Sequence, residues 1–206
     1  VAAKRSRPPL VFVGSNDGML HAVSSGPAGG DVKFSVIPNS VLGYMKELPK
    51  QGYQHLYYVD GSPTQHDVRL GSAWRTMLLS YNGAGGKSIM ALDVTNAASG
   101  FGTDNFMWEF RHPNLGHVLN PPTVGLLESG DWAVFAGNGL NSSDNRARLM
   151  VLDAANGGLR ESIVVGAGSA SNPNGLTSAV PMDTDFNGKV DTVYGGGEVF
   201  AKSVSA

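Results

Sequence analysis

Val134-Phe-Ala-Gly-Asn-Gly followed by Leu149-Met-Val-Leu-Asp-Ala decides how this chain folds, because the pair recurs. Upstream it appears as Met77-Leu-Leu-Ser-Tyr-Asn-Gly and Ile89-Met-Ala-Leu-Asp-Val; downstream it weakens to Val193-Tyr-Gly-Gly-Gly and Val199-Phe-Ala-Lys. Working outward, a proline precedes each pair: Pro63, Pro122 and Pro181, 59 residues apart in both steps. In two copies a further β-prone run follows, Phe106-Met-Trp-Glu-Phe and Glu161-Ser-Ile-Val-Val. The N-terminal stretch joins the frame part-way, with Leu10-Val-Phe-Val-Gly, Met19-Leu-His-Ala-Val and Val32-Lys-Phe-Ser-Val-Ile. The unit is four short strands in about 60 residues, joined by turns.

A four-stranded antiparallel unit that cannot bury both faces alone must stack against copies of itself, which is the pattern of a β-propeller blade. The spacing predicts an all-β fold, a single β-propeller domain over 1–206 with about four blade-equivalents. These cover about 8–38, lacking a first strand, then 58–111, 119–166, and 177–206, which stops after its third strand. Propellers close with about 4–8 blades, so the chain is either a small closed ring or an open, partial one. One helical insertion is predicted over 39–49. Val41, Leu42, Met45 and Leu48 share a face, Asn39 or Ser40 is the cap, and Pro49 is the stop. Beyond it, Tyr53, Tyr57 and Tyr58 read as a half-buried strand or as an exposed aromatic contact surface.

Composition agrees with a turn-rich globular chain: 28 of 206 residues are glycine, 41% are apolar and 16% charged. Fifteen Lys and Arg against 17 Asp and Glu give a net charge of −2, too little positive charge for a broad nucleic-acid surface. No apolar run reaches the roughly 20 residues of a membrane span, and Val1–Pro9 has no apolar region that would read as a signal peptide. The absence of cysteine removes disulfides, thiolate zinc sites, iron–sulfur clusters and cysteine nucleophiles together.

The sharpest chemical signal is Asp183-Thr-Asp185-Phe-Asn187-Gly188-Lys189-Val190-Asp191. Side-chain oxygens at positions 1, 3, 5 and 9, glycine at 6 and a backbone carbonyl at 7 follow the pattern of a calcium loop. Val190, at position 8, points the other way and anchors the loop in the core. Position 12 is Tyr194, so the bidentate glutamate of an EF-hand is missing, and an apolar strand follows in place of a helix. The expected ligands of Ca2+ are Asp183, Asp185, Asn187, Lys189 through its carbonyl, and Asp191. The plainer alternative is an acidic turn without metal, in which Lys189 offsets part of the repulsion among three carboxylates.

Other candidates are weaker. Gly83-Ala-Gly-Gly-Lys87-Ser88 lacks the first glycine of a phosphate loop and precedes a strand, so it reads as a long hairpin turn. The five histidines lack zinc-ligand spacing, and no Gly-x-Ser-x-Gly elbow occurs, so no catalytic residue is assigned.

Several motifs in order are more specific than any one of them. Pro8-Pro-Leu-Val-Phe-Val-Gly-Ser-Asn-Asp-Gly-Met-Leu-His-Ala, Tyr57-Tyr-Val-Asp-Gly-Ser-Pro-Thr, Ala73-Trp-Arg-Thr, Gly85-Gly-Lys-Ser-Ile-Met-Ala-Leu-Asp-Val-Thr, Met107-Trp-Glu-Phe and Val134-Phe-Ala-Gly-Asn-Gly follow one another. Together they resemble the C-terminal β-propeller domain of the PilY/PilC family of type IV pilus tip and biogenesis proteins, from Pro8 to about Gly196. The resemblance implies a modified, quinoprotein-like propeller carrying a calcium loop at the five positions above. It implies a bacterial pilus-associated protein at the cell surface, exported through the periplasm and outer membrane, acting in adhesion, twitching motility and control of pilus extension and retraction. Its implied partners are minor pilins and a host or abiotic surface. Family members continue past the calcium loop with further blades, whereas this sequence ends at Ala206, which points to a truncated piece or a short member. Open sheet edges would then favour self-association. Two alternatives stay open. Ala91-Leu-Asp-Val-Thr and Val151-Leu-Asp-Ala-Ala-Asn-Gly are also similar to the repeats of quinone-dependent dehydrogenases, although the chain is short for their ring and has no cysteine pair. A metal-independent assembly scaffold is the other.

Overall fold

The computed structural model describes residues 7–27, 29–197 and 201–205. They form four antiparallel meanders in chain order. The first sheet is β1 (Leu10–Gly14), β2 (Leu20–Ser24) and β3 (Val32–Val36). The second is β4 (Thr64–Leu70), β5 (Ala73–Tyr81), β6 (Ile89–Asp93) and β7 (Phe106–Phe110). The third is β8 (Thr123–Leu126), β9 (Trp132–Gly137), β10 (Ala147–Asp153) and β11 (Leu159–Gly166). The fourth is β12 (Leu176–Met182), β13 (Thr192–Gly197) and β14 (Ala201–Ser205). The fold is all-β, and among the described residues no helix is long and apolar enough to cross a membrane.

The apolar runs of the middle sheets are continuous because both faces are covered. On β5, Met77 and Leu79 join the core between the second and third sheets, and Leu78 joins the core toward the first. On β10, Met150 and Leu152 face the second sheet's side chains, whereas Leu149 and Val151 pack with Leu176, Ala179 and Val193 of the fourth. Successive strand residues point to opposite faces, so an uninterrupted run buries twice what an alternating one would. Three cores join four sheets, and among the described residues none joins the fourth to the first. Among the described residues the four sheets form no closed ring. The first sheet leaves Val11, Val13 and Val32 exposed, and the fourth leaves Val180, Met182 and Tyr194 exposed.

The recurring asparagine clasps neighbouring units. Asn138 is fully buried: its amide nitrogen donates to Asn114 O (3.0 Å) and Arg146 O (2.9 Å), and its oxygen accepts from Arg148 N (2.9 Å) and Leu176 N (3.1 Å). All four of its hydrogen-bonding positions are used, the last by the strand that opens the fourth sheet. Asn16 accepts from Tyr58 N (3.2 Å) in the same sense.

Three local expectations change. The helix over 39–49 is only α1 (Asn39–Leu42) followed by a 3-10 turn at Met45–Glu47. The break falls at Gly43-Tyr44, where Tyr44 stacks on Tyr58 (5.1 Å between centroids) and its hydroxyl donates to Gly85 O. That tertiary contact outweighs helix propensity. Neither Asn39 nor Ser40 caps through its side chain; their N–H groups instead donate to the Glu109 carboxylate (2.8 and 3.1 Å). The tyrosines are not in a strand: Tyr58 is buried, whereas Tyr53 and Tyr57 are exposed. Pro63 and Pro122 immediately precede β4 and β8, but Pro181 lies inside β12. β12 is an edge strand, where a proline is tolerated. Of the predicted strand at Val199–Lys202, Val199 and Phe200 lie outside the described residues.

Candidate metal centre

The loop 183–191 is the turn between β12 and β13, closed by Asp191 N donating to Met182 O at 3.0 Å. Val190 is buried among Phe135, Ala179 and Val193, and its N–H donates across to Leu126 O of the third sheet (2.8 Å). The seat exists because residue 125 is glycine; a Cβ there would stand 2.3 Å from the Val190 side chain. Gly188, at φ +88°, makes the sharp bend. Phe186 also takes a left-handed conformation (φ +63°) while 92% exposed, a strained position that motif spacing does not reveal.

Within that bend, one carboxylate oxygen each of Asp183, Asp185 and Asp191 lies within 4.8 Å of the others. Oxygens ligating one calcium at about 2.3–2.6 Å can be no more than roughly 5 Å apart, so the three fit a single ion of that size. Backbone N–H groups hold the carboxylates in place. Asp183 accepts from Asn187 N (3.0 Å) and Gly188 N (2.6 Å). Asp185 accepts from Asn187 N (3.1 Å), and Asp191 accepts from the Thr184 amide (2.5 Å) and hydroxyl (2.6 Å). The hydroxyl and amide of Thr184 hold the Asp191 carboxyl below its ordinary pKa. The Asn187 oxygen accepts from Lys189 N (2.8 Å) and keeps a second lone pair.

Glu128 is the residue that sequence spacing missed. It belongs to the turn between β8 and β9, about 60 residues away in the chain, and no motif marks it. Its carboxylate accepts from Asn187 Nδ2 (3.0 Å) and from Lys189 Nζ (3.0 Å), and those two bonds, Lys189 first, lower its pKa. The Lys189 ammonium is thus paired with the Glu128 carboxylate. Of the five expected ligands, the three aspartates converge, Asn187 borders them, and Lys189 has only its backbone to contribute.

Packing and turn closure account for the other motifs. Gly83–Gly85 is a short 3-10 turn between β5 and β6, and a Cβ at Gly85 would fall 2.0 Å from Tyr58 O. Asp93 and Asp153, which end the repeated Leu-Asp strands, cap the turns that follow through Thr95 N (2.9 Å) and Ala155 N (2.8 Å).

Comparison with known proteins agrees with this architecture. Residues 1–200 match the family model described as the PilY1 beta-propeller domain. A type IV pilus biogenesis factor PilY1 homolog of Xylella fastidiosa is 40% identical over 90% of this chain and 13% of its own length. The type IV pilus biogenesis factor PilY1 of Pseudomonas aeruginosa is 38% identical over 94% of this chain and 16% of its own. The crystal structure of the P. aeruginosa PilY1 C-terminal domain superposes with a TM-score of 0.79 at 36% identity, covering 95% of this chain and 38% of that one. This chain therefore spans a small part of the relatives it matches, and it belongs to the PilY1 β-propeller domain family.

Proposed function

We propose that this member of the PilY1 propeller family is a calcium-binding, non-catalytic module of a type IV pilus-associated protein. It acts at the bacterial cell surface in adhesion, twitching motility and the control of pilus extension and retraction. Minor pilins and a host or abiotic surface are its partners. The observation that carries the calcium reading is the convergence of Asp183, Asp185 and Asp191 on one point of a nine-residue bend. The pilus reading is supported by relatives that are themselves named type IV pilus biogenesis factors.

Calcium would join the two ends of the loop, positions 1 and 9, and so fix the start of β13 against the end of β12. Glu128 ties the same loop to the third sheet, so the ion's effect reaches the packing between two blades. Isothermal titration of metal-stripped protein with calcium chloride tests the reading. A saturable heat that disappears in Asp183→Ala is expected; no heat in the unaltered chain overturns it. The exposed apolar faces of the terminal sheets call for cover by another blade or a second copy. Concentration-dependent light scattering above the monomer mass is the expected sign when the chain stands alone.

A further inference from the structure

The second and third sheets meet at their rim in a cleft of about 500 Å³. One wall is the tip of the β4–β5 hairpin, where Arg69 and Trp74 stand directly opposite each other. A two-residue turn with Gly71 at φ +61° brings both to the end of the ribbon. The other wall carries Asp131 and Trp132, backed by Asp153 at the end of β10. Trp74 leaves 61% of its surface exposed, although its ring meets that of Trp132 edge-to-face at 6.0 Å. Trp108, by contrast, is buried with its Nε1 donating to Ala154 O at 3.0 Å. An indole left open on a cleft wall forfeits burial that the fold obtains elsewhere, and concave sites with an aromatic wall and a few fixed polar groups are where ligands bind.

The polar groups are already held in place. Arg160 Nη2 donates to Asp153 Oδ2 at 2.6 Å and lies 3.1 Å from Asp131 Oδ2. Of the charged groups lining the cleft, Arg69 stands with Asp131 and Asp153, and both of those carboxylates are paired with Arg160, so no single sign of charge dominates it. A cationic ligand would meet the Arg69 guanidinium and carboxylates already paired with Arg160, and an anionic one would meet two carboxylates. An uncharged molecule with an apolar face and a ring of hydroxyls meets neither penalty. We propose that this cleft binds a neutral pyranose sugar, with its C–H face on Trp74 and its hydroxyls donating to Asp131 or Asp153 and accepting from Arg69. The inference gives the adhesion reading a ligand class; its biological role rests on that reading, but the binding itself does not.

The whole chain would be titrated with cellohexaose, maltohexaose and mannohexaose while tryptophan emission and acrylamide quenching are followed. At least one oligosaccharide is expected to shield the exposed indole. Trp74→Ala should then weaken its binding about tenfold or more, and Trp74→Phe should restore part of the loss. Asp131→Asn should weaken binding less, and circular dichroism should confirm that each variant is folded. The proposal is overturned if none of the three sugars protects tryptophan, if Trp74→Ala binds equally well, or if a heparin fragment or a lysine-rich peptide binds in preference. A chain that binds sugar but supports no bacterial attachment overturns the adhesion reading alone. Attachment without any sugar binding overturns this inference alone.

Discussion

The turn from β8 to β9 and the turn from β12 to β13 occupy the same place in neighbouring sheets, yet they are built on different principles. The first has five residues, 127–131, and closes on its own backbone: Leu127 N donates to Asp131 O (2.8 Å) and Gly130 N to Leu127 O (2.9 Å). The second has nine residues, 183–191, and many of its N–H groups turn inward to carboxylates. Both bend at a glycine with φ +88° and open space around it, Gly130 and Gly188. A turn that satisfies itself has no use for an ion. One that gathers three carboxylates to satisfy its amides accumulates negative charge, and a cation relieves it. The two are bound together through Glu128, and the shorter turn also supplies Asp131 to the cleft on its other side.

The largest expected effect removes the packing beneath both turns. Phe135 is fully buried between the third and fourth sheets, and Phe135→Ala should cost about 3–5 kcal/mol, read as a lower thermal midpoint. Next comes the ion itself: calcium at about 100 times its dissociation constant should add ~2.7 kcal/mol, and Asp183→Ala should erase the difference between calcium and chelator. The glycines give the sharpest contrast. Gly130→Ala and Gly188→Ala should each cost about 1–2 kcal/mol through the same backbone strain, but only Gly188→Ala should weaken calcium binding in a titration. Equal calcium affinity in both variants would break the comparison.

Glu128→Ala should lower calcium affinity about tenfold by releasing Asn187 and Lys189, as loss of a ligand-orienting partner does in other metal sites. Glu128→Gln, which keeps an acceptor for Asn187, should recover part of it. The smallest effect is that of pH. Glu128 and Asp191 have carboxyl pKa values lowered in the folded chain, so their contribution is complete above the ordinary carboxylate range and is lost as pH falls through the folded values. Midpoints measured in chelator should decline only in acid, and more gently in Asp191→Asn.

Much of this architecture is legible in the sequence because its determinants are local. Runs such as Met77-Leu-Leu and Leu149-Met-Val-Leu specify strands buried on both faces, and their recurrence specifies stacked sheets. Oxygens at positions 1, 3, 5 and 9 around Gly188 specify a bend that gathers carboxylates. Helical periodicity misled over 39–49, since it takes no account of what Tyr44 finds on the far side of the chain.

The sequence by itself determined the blades, their order and the composition of the acidic bend, because strand periodicity and turn chemistry act over a few residues. Only the tertiary structure decided that three cores join the four sheets in chain order, that Glu128 reaches the bend from the preceding sheet, and that Trp74 and Trp132 share a cleft. Those features depend on how far one sheet is displaced from the next. Packing of side chains from distant segments sets that displacement, and no local pattern encodes it.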